Sequence, residues 1–215
     1  MKVPMSWLQA MVNLPDGTTT DEVARALTNH TATVEKVEVV GGELTGPIVI
    51  GHILSSVPEP QKNGKIINWC RVDVGPRYNA EGHPKNIAEG TEGRGIVCGA
   101  PNAVEGAWVV VSLPGAVLPG GFAISARKTY GHMSDGMLCA SDELGIGVYE
   151  PGIITLPPSV EGHQLVPGEN ALPILGVPEQ VLDVYVPPDI CYCMSMLVIS
   201  REVSNAISVH YPDTS

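Results

Sequence analysis

"RKTYGHMSDGMLCASDELGIG" occupies residues 127–147. Two basic residues, Arg127 and Lys128, precede a run of Gly, His, Met, Ser and Asp, and an acidic turn follows from Ser141 to Gly145. The stretch could hold a metal, carry a nucleophile or meet a partner. His132, Ser134 and Asp135 are close in sequence, but a nucleophilic triad is a matter of geometry rather than sequence proximity. Two positions before Ser134 stands His132 and not Gly, so no Gly-x-Ser-x-Gly turn is present. The six histidines (30, 52, 83, 132, 163, 210) are scattered singly, with no HxH or HxxxH pair. Neither a catalytic residue nor a metal ligand is therefore assigned. Ser141 is expected to cap one helical turn in "SDELG", ended by Gly145.

Around this stretch, from about 44 to 160, short apolar runs alternate with Gly and Pro: "IVIGHILSSV", "IINWCRVDVG", "RGIVCG", "AWVVVSLPGA" and "FAISARK". No long helix fits, and short strands at this spacing predict a small closed β-barrel or a sandwich. Gly and Pro, 24 and 19 residues, make up about a fifth of the chain and favour turns. "GTEGRG" at 90–95 lacks both the phosphate-loop lysine and the dinucleotide spacing, and reads as a turn between strands. Asn102, after a Pro in "CGAPNAVEG", either fixes a hairpin or meets a ligand directly. Trp69 and Trp108 sit in strand-like runs and are expected in the core.

The flanks read differently. Trp7, Leu8, Met11 and Val12 lie at helical spacing, and "LPDG" at 14–17 stops the run. Thr19 with Glu22 fits a capping box that opens a helix through Val23, Ala26 and Leu27. "VEKVEVV" at 34–40 predicts a strand, and Gly41–Gly42 a boundary. Beyond 160, "VPGENALPILG" predicts a loop, "VLDVYV" at 181–186 a strand, and "MSMLVISREVSNAI" at 194–207 a helix. The polar end "SVHYPDTS" predicts a chain that continues.

The net charge is -11. Such a bulk charge repels phosphates at long range, so a nucleic-acid role needs a local patch or a partner. Residues 44–160 hold 8 Lys and Arg against 10 Asp and Glu, whereas the remainder holds 4 against 13. The β-rich segment is thus less hostile to a polyanion. Five cysteines (70, 98, 139, 191, 193), an odd number without CxxC spacing, fit a reduced cytosolic protein with buried thiols. The N-terminus has no cleavable apolar core, and no apolar stretch reads as a membrane span.

Three segments in order, "WCRVDVG" (69–75), "RGIVCGAPNAVEGAWVVVSLPGAVLPGG" (94–121) and the opening stretch, resemble the tRNA-binding OB-fold domain. The flanks "MKVPMSWLQAMVNLPDGTTTDEVARALT" and "VLDVYVPPDICYCMSMLVISREVSNAI" resemble the bacterial phenylalanyl-tRNA synthetase β chain, in whose N-terminal region that domain is inserted. The resemblance implies an α+β chain with a Greek-key OB-type β-barrel inserted into a small αβ domain. Residues 1–43 would form the first piece of the small domain, 44–160 the barrel, and 161–215 the second piece of the small domain with the start of the following region.

Arg127, Lys128, Ser134, Gly136 and Met137 match the family's Lys/Arg, Ser-x-Gly-Met signature. With Asn102 they are the candidate RNA contacts; Ser134, Gly136 and Met137 could instead build a barrel corner. Implied partners are tRNA and an α subunit in an α2β2 heterotetramer, with no DNA and no membrane, in the cytoplasm. ATP and magnesium would serve the whole enzyme, with no cofactor or catalytic residue in this part. A free-standing tRNA-binding module, or a structural or dimerisation domain, is the alternative. The chain departs from the family at "TATVE" (31–35), Pro187–Ile190 and "LVIS" (197–200), where two arginines are missing. With only 5% aromatic residues, a broad base-stacking platform is not expected, and recognition of RNA shape fits better.

Overall fold

A computed structural model describes residues 1–88 and 93–209. The "GTEGRG" turn lies partly, and the polar tail almost wholly, outside the described residues. The chain forms two units, Met1–Gly42 with Pro178 onward, and Glu43–Val177.

The first piece of the outer unit runs β1 (Lys2–Pro4), α1 (Met5–Met11), α2 (Thr20–His30) and β2 (Thr33–Val40). The capping box is present: the Thr19 side chain accepts from the Glu22 amide at 3.3 Å, and the Glu22 carboxylate accepts from the Thr19 amide at 2.8 Å. These bonds satisfy helix-end donors that would otherwise lack partners.

The inner unit opens with β3 (Ile48–Pro60), β4 (Ile66–Asp73), α3 (Gly75–Ala80) and α4 (Pro84–Ala88). It continues with β5 (Arg94–Cys98), β6 (Trp108–Ser112), β7 (Val117–Leu118), β8 (Phe122–Ala123), β9 (Arg127–Thr129) and β10 (His132–Ser134). Then come β11 (Met137–Leu138), β12 (Thr155–Leu156), β13 (Ser159–Val160), β14 (His163–Gln164) and α5 (Ala171–Ile174). The outer unit resumes with β15 (Glu179–Tyr185) and α6 (Met196–Ile207).

In the outer unit the antiparallel order β1-β15-β2 makes β15 the middle strand. Leu8, Val23, Leu27, Leu182, Ile199 and Val203 build one core. Val23 with Leu27, and Ile199 with Val203, are pairs four residues apart on one helix face.

In the inner unit the main sheet runs β11-β6-β3-β4-β5, all antiparallel, with β12 also on β6. The long β3 serves both β4 and β6, and a register shift between Ile53 and Ser55 bends it. Val49, Ile53, Val72, Ile96, Val109 and Val111 form the core.

Among the described residues the strand ladders do not close a barrel. Where closure is expected, between β5 and the segment leaving β10, the Asp135 amide donates to the Gly95 carbonyl at 2.9 Å. The Val97 amide donates to the Ser134 hydroxyl at 3.1 Å. A side chain thus takes the place of a ladder carbonyl, and Gly136, at φ +139°, turns the chain away.

The return to the outer unit comes at Val177/Pro178, not at 160/161. The segment past 160 is sewn onto β3: the Ile50 amide donates to Glu169 at 2.9 Å, and the Gly168 amide to Ile50 at 2.8 Å. Gly75 and Gly168 cross so closely that a Cβ on either would lie 3.0 Å from the other's Cα.

Three local expectations change. Residues 141–145 form hydrogen-bonded turns rather than a helical turn, and the Ser141 hydroxyl donates to the Val148 carbonyl at 3.2 Å instead of capping. The 166–176 loop contains α5, capped by Asn170, whose side chain accepts from the Leu172 amide. Trp69 and Trp108 are half-buried: they alternate with the core residues Cys70 and Val109, and each ring lies against a histidine, His132 and His52 respectively.

Candidate nucleic-acid interface

The stretch at 127–137 folds as a two-stranded hairpin with Arg127 opposite Ser134, Lys128 opposite Met133 and Thr129 opposite His132. Side chains alternate along a strand, so Arg127 shares a face with Ser134, and Lys128 shares the opposite face with Met133. Both basic residues are exposed.

The hairpin is seated by buried polar groups. Ser134, 5% exposed, accepts from the Val97 amide and donates to the Gly136 carbonyl at 3.2 Å. Asp135 is buried, accepts from the His83 amide, and lies 3.4 Å from the Arg94 guanidinium. The Arg94 Nε also donates to the Tyr78 carbonyl at 2.7 Å. Burial pulls the Arg94 pKa down, and the Asp135 charge works against that pull. A Cβ on Gly136 would come within 3.0 Å of the Ser112 carbonyl, which requires glycine there. Met137 begins β11, opposite Ser112, and is half-buried.

Asn102 lies in the loop before β6. Its Nδ2 donates to the Ile153 carbonyl at 2.8 Å, and its Oδ1 accepts from the Ile153 amide at 3.0 Å. It therefore ties two loops together.

Two arrangements escaped the sequence. The Arg94–Asp135 pair removes one of the segment's basic residues from the surface. The second is a stack: the His132 ring lies on Trp69 with centroids 4.2 Å apart and planes within 14°. Glu59 accepts from or faces His132 Nε2 at 3.0 Å, and the Arg71 guanidinium stands 5.5 Å from the Trp69 ring. Gly95 makes room, since a Cβ there would meet Trp69 at 2.2 Å. The glycine of "RGIVCG" was the available signal, but Trp69 is 26 residues away in sequence and only the β4–β5 register, Arg71 opposite Gly95 and Trp69 opposite Val97, sets them diagonally across the two strands.

Of the eight basic residues between 44 and 160, Arg71 and Arg94 are buried, and Arg77 pairs with Glu81 at 3.2 Å. Lys62, Lys65, Lys85, Arg127 and Lys128 are exposed. Among the described residues, no group of three or more His, Cys, Asp or Glu is placed to hold a metal, and no helix is long and apolar enough to cross a membrane.

No family model matches the chain. It is 90% identical over 213 residues to the phenylalanine–tRNA ligase beta subunit of Cutibacterium acnes, covering 99% of this chain and 25% of that protein. The beta subunits of Thermobifida fusca and Bifidobacterium longum are 48% and 40% identical, over 99% and 98% of this chain and 24% of each protein. The chain spans about a quarter of the length of the curated relatives it matches. It is homologous to the N-terminal region of the phenylalanine–tRNA ligase beta subunit.

Proposed function

We propose that this chain is the N-terminal region of a phenylalanine–tRNA ligase β subunit, and that its inner unit is an OB-type tRNA-binding domain. The observation that carries the reading is the 90% identity extending over 99% of the chain. The whole enzyme joins phenylalanine to its tRNA in the cytoplasm at the expense of ATP, with magnesium, and with an α subunit in an α2β2 assembly. The catalytic site is assigned to the α subunit. Among the described residues here none converges as a metal site, and the Gly-rich stretch at 90–95 lacks a phosphate-loop lysine.

The OB assignment is supported by a long, bulged β3 shared between β4 and β6, and by the two hydrogen bonds across the β5–β10 gap. Within that unit, tRNA contact is assigned to Arg127 and Lys128, whose exposed charges can meet phosphate and release counterions. Ser134, Gly136 and Met137 then serve by shaping the surface that the RNA meets, and Asn102 by holding its loop to Ile153.

A structural reading is favoured by one observation: Ser134, Asp135 and Asn102 each spend their polar atoms on other parts of the chain. The two readings separate in a binding titration of the 215-residue chain against bulk bacterial tRNA at low salt. Saturable binding that weakens in the Arg127→Ala/Lys128→Ala double variant supports the tRNA-binding reading. No binding, or binding unchanged in a folded double variant, leaves the hairpin as a brace.

A further inference from the structure

The β9–β10 turn carries a residue that its geometry does not favour. Its two central residues both have positive φ, Tyr130 at 50° and Gly131 at 91°. Such a turn matches the twist of the strands it joins and takes Asn or Asp before Gly most readily. A bulky side chain in the left-handed region is strained, because Cβ crowds the following carbonyl. Burial does not offset that strain, since Tyr130 is 45% exposed. Strain kept at an exposed aromatic tip is a pointer to function.

The neighbouring position reinforces it. His132 closes the same turn, opposite Thr129, and lies flat on Trp69. Its Nε2 is fixed by Glu59, and its side chain keeps 29% of its exposure. One ring face lies against Trp69. The imidazole is thus held in a set orientation with little rotamer entropy left to lose on binding. On the same hairpin Arg127 and Lys128 are exposed on β9, and one carboxylate, that of Glu59, stands at the His132 edge.

We propose that Tyr130 and His132 form a stacking step for an unpaired base of the bound RNA, with Arg127 and Lys128 on flanking phosphates. The proposal rests on the reading of this hairpin as an RNA-facing element, and it replaces pure shape recognition with at least one base contact. Every base has a π-face, so the step is tolerant of sequence. It needs only two rings, not the broad platform that the composition disfavours.

The test uses the 215-residue chain and exploits the turn itself. Tyr130→Asn suits the turn better than tyrosine, so its melting temperature is expected to match or exceed that of the parent chain. Its affinity for bulk bacterial tRNA is expected to fall about tenfold, within the range for loss of one stacked base. Tyr130→Phe keeps the ring and is expected to bind within about twofold of the parent, since stacking needs no hydroxyl. His132→Ala is expected to weaken binding in the same direction. With defined probes, Tyr130→Asn should weaken binding to a single-stranded oligoribonucleotide and leave a blunt RNA duplex unaffected.

If the Arg127→Ala/Lys128→Ala variant weakens tRNA binding and Tyr130→Asn does not, the stacking step is wrong and the RNA-facing hairpin stands. If neither set of changes alters binding, the underlying reading fails with it. If Tyr130→Asn binds RNA like the parent but loses capture by the α subunit, the tip is a protein contact and the proposal is overturned.

Discussion

Arg94 and Asp135 face each other inside the inner unit, Nη1 to Oδ2 at 3.4 Å, with their side chains 5% and 3% exposed. The pair joins β5 to the segment that leaves β10, where the strand ladder stops. The aspartate also accepts from the His83 amide, so both its partners lie within the inner unit. Asp135→Asn keeps the shape but leaves a buried guanidinium without its counter-charge. Breaking one half of such a pair costs about 3–5 kcal/mol. Urea unfolding of the variant should show a midpoint lowered accordingly, and an unchanged midpoint would remove the pair from the stability of this unit.

Removing Arg127 and Lys128 should change how tRNA binding responds to salt. Log affinity falls with log salt by about 0.9 per phosphate contact on duplex and about 0.7 on single strands. The double alanine variant should therefore show a slope shallower by about 1.4 to 1.8 if both residues meet phosphate. Preference among tRNA species should not change, because phosphate contacts carry no base information. Equal slopes in parent and variant would sink the assignment.

Asn102→Ala should act on stability and not on RNA. The change leaves the Ile153 amide and carbonyl without their side-chain partners. The expected cost is about 1–3 kcal/mol, read as a lower melting temperature, with tRNA affinity preserved while the chain remains folded. Loss of affinity in a variant that melts like the parent would instead make Asn102 a direct contact.

Little of this was beyond reach in the local pattern, and nearly all of it was beyond reach across distance. Thr19 and Glu22 announced a helix start because both halves of the capping box lie within one turn. The strands at 33–40 and 179–185 and the helix at 196–207 came within about two residues of their expected bounds, since alternation and 3.6-residue spacing are local signals. The Ser141 cap failed because the Ser141 hydroxyl found Val148 and Glu143 took the Ala140 amide, giving a turn in place of a helix. Arg94 counted as a surface charge until the β5 register placed it against Asp135. At the site, the basic pair was legible as residue types, while Tyr130 was not, because its strain exists only once Thr129 and His132 are paired.

The thiols make a separate prediction. Cys70, Cys98, Cys139 and Cys193 are buried and Cys191 is exposed, all unbridged. A thiol reagent near neutral pH should modify Cys191 rapidly in the native chain and the other four only on unfolding. Burial pushes the Cys98 pKa up to about 11 and the Cys139 pKa up to about 12, from an ordinary 9.0. Above pH 9 the unfolded chain therefore loses these protons first, and stability falls as pH rises toward 11–12. The slope is at most about 1.4 kcal/mol per pH unit for each thiol. Melting temperatures that stay flat from pH 9 to 11 would contradict the burial of these groups.

Val40 and Glu179 stand directly opposite each other on β2 and β15. The whole inner unit is thus the loop of one enormous β-hairpin, a guest whose two ends meet at neighbouring positions in its host. During synthesis the guest emerges complete before the host's middle strand exists. Glu43–Val177 can finish its core while Leu182, Ile199 and Val203 are still unmade, so the core of the host is completed only after the whole guest has been synthesised. The closure entropy of so long a loop grows only logarithmically with its length, and a guest already folded holds its ends in place and reduces it further. The same geometry makes the guest exchangeable: a two-residue Asn-Gly turn from Val40 to Glu179 has the reach and the twist to close the host on its own.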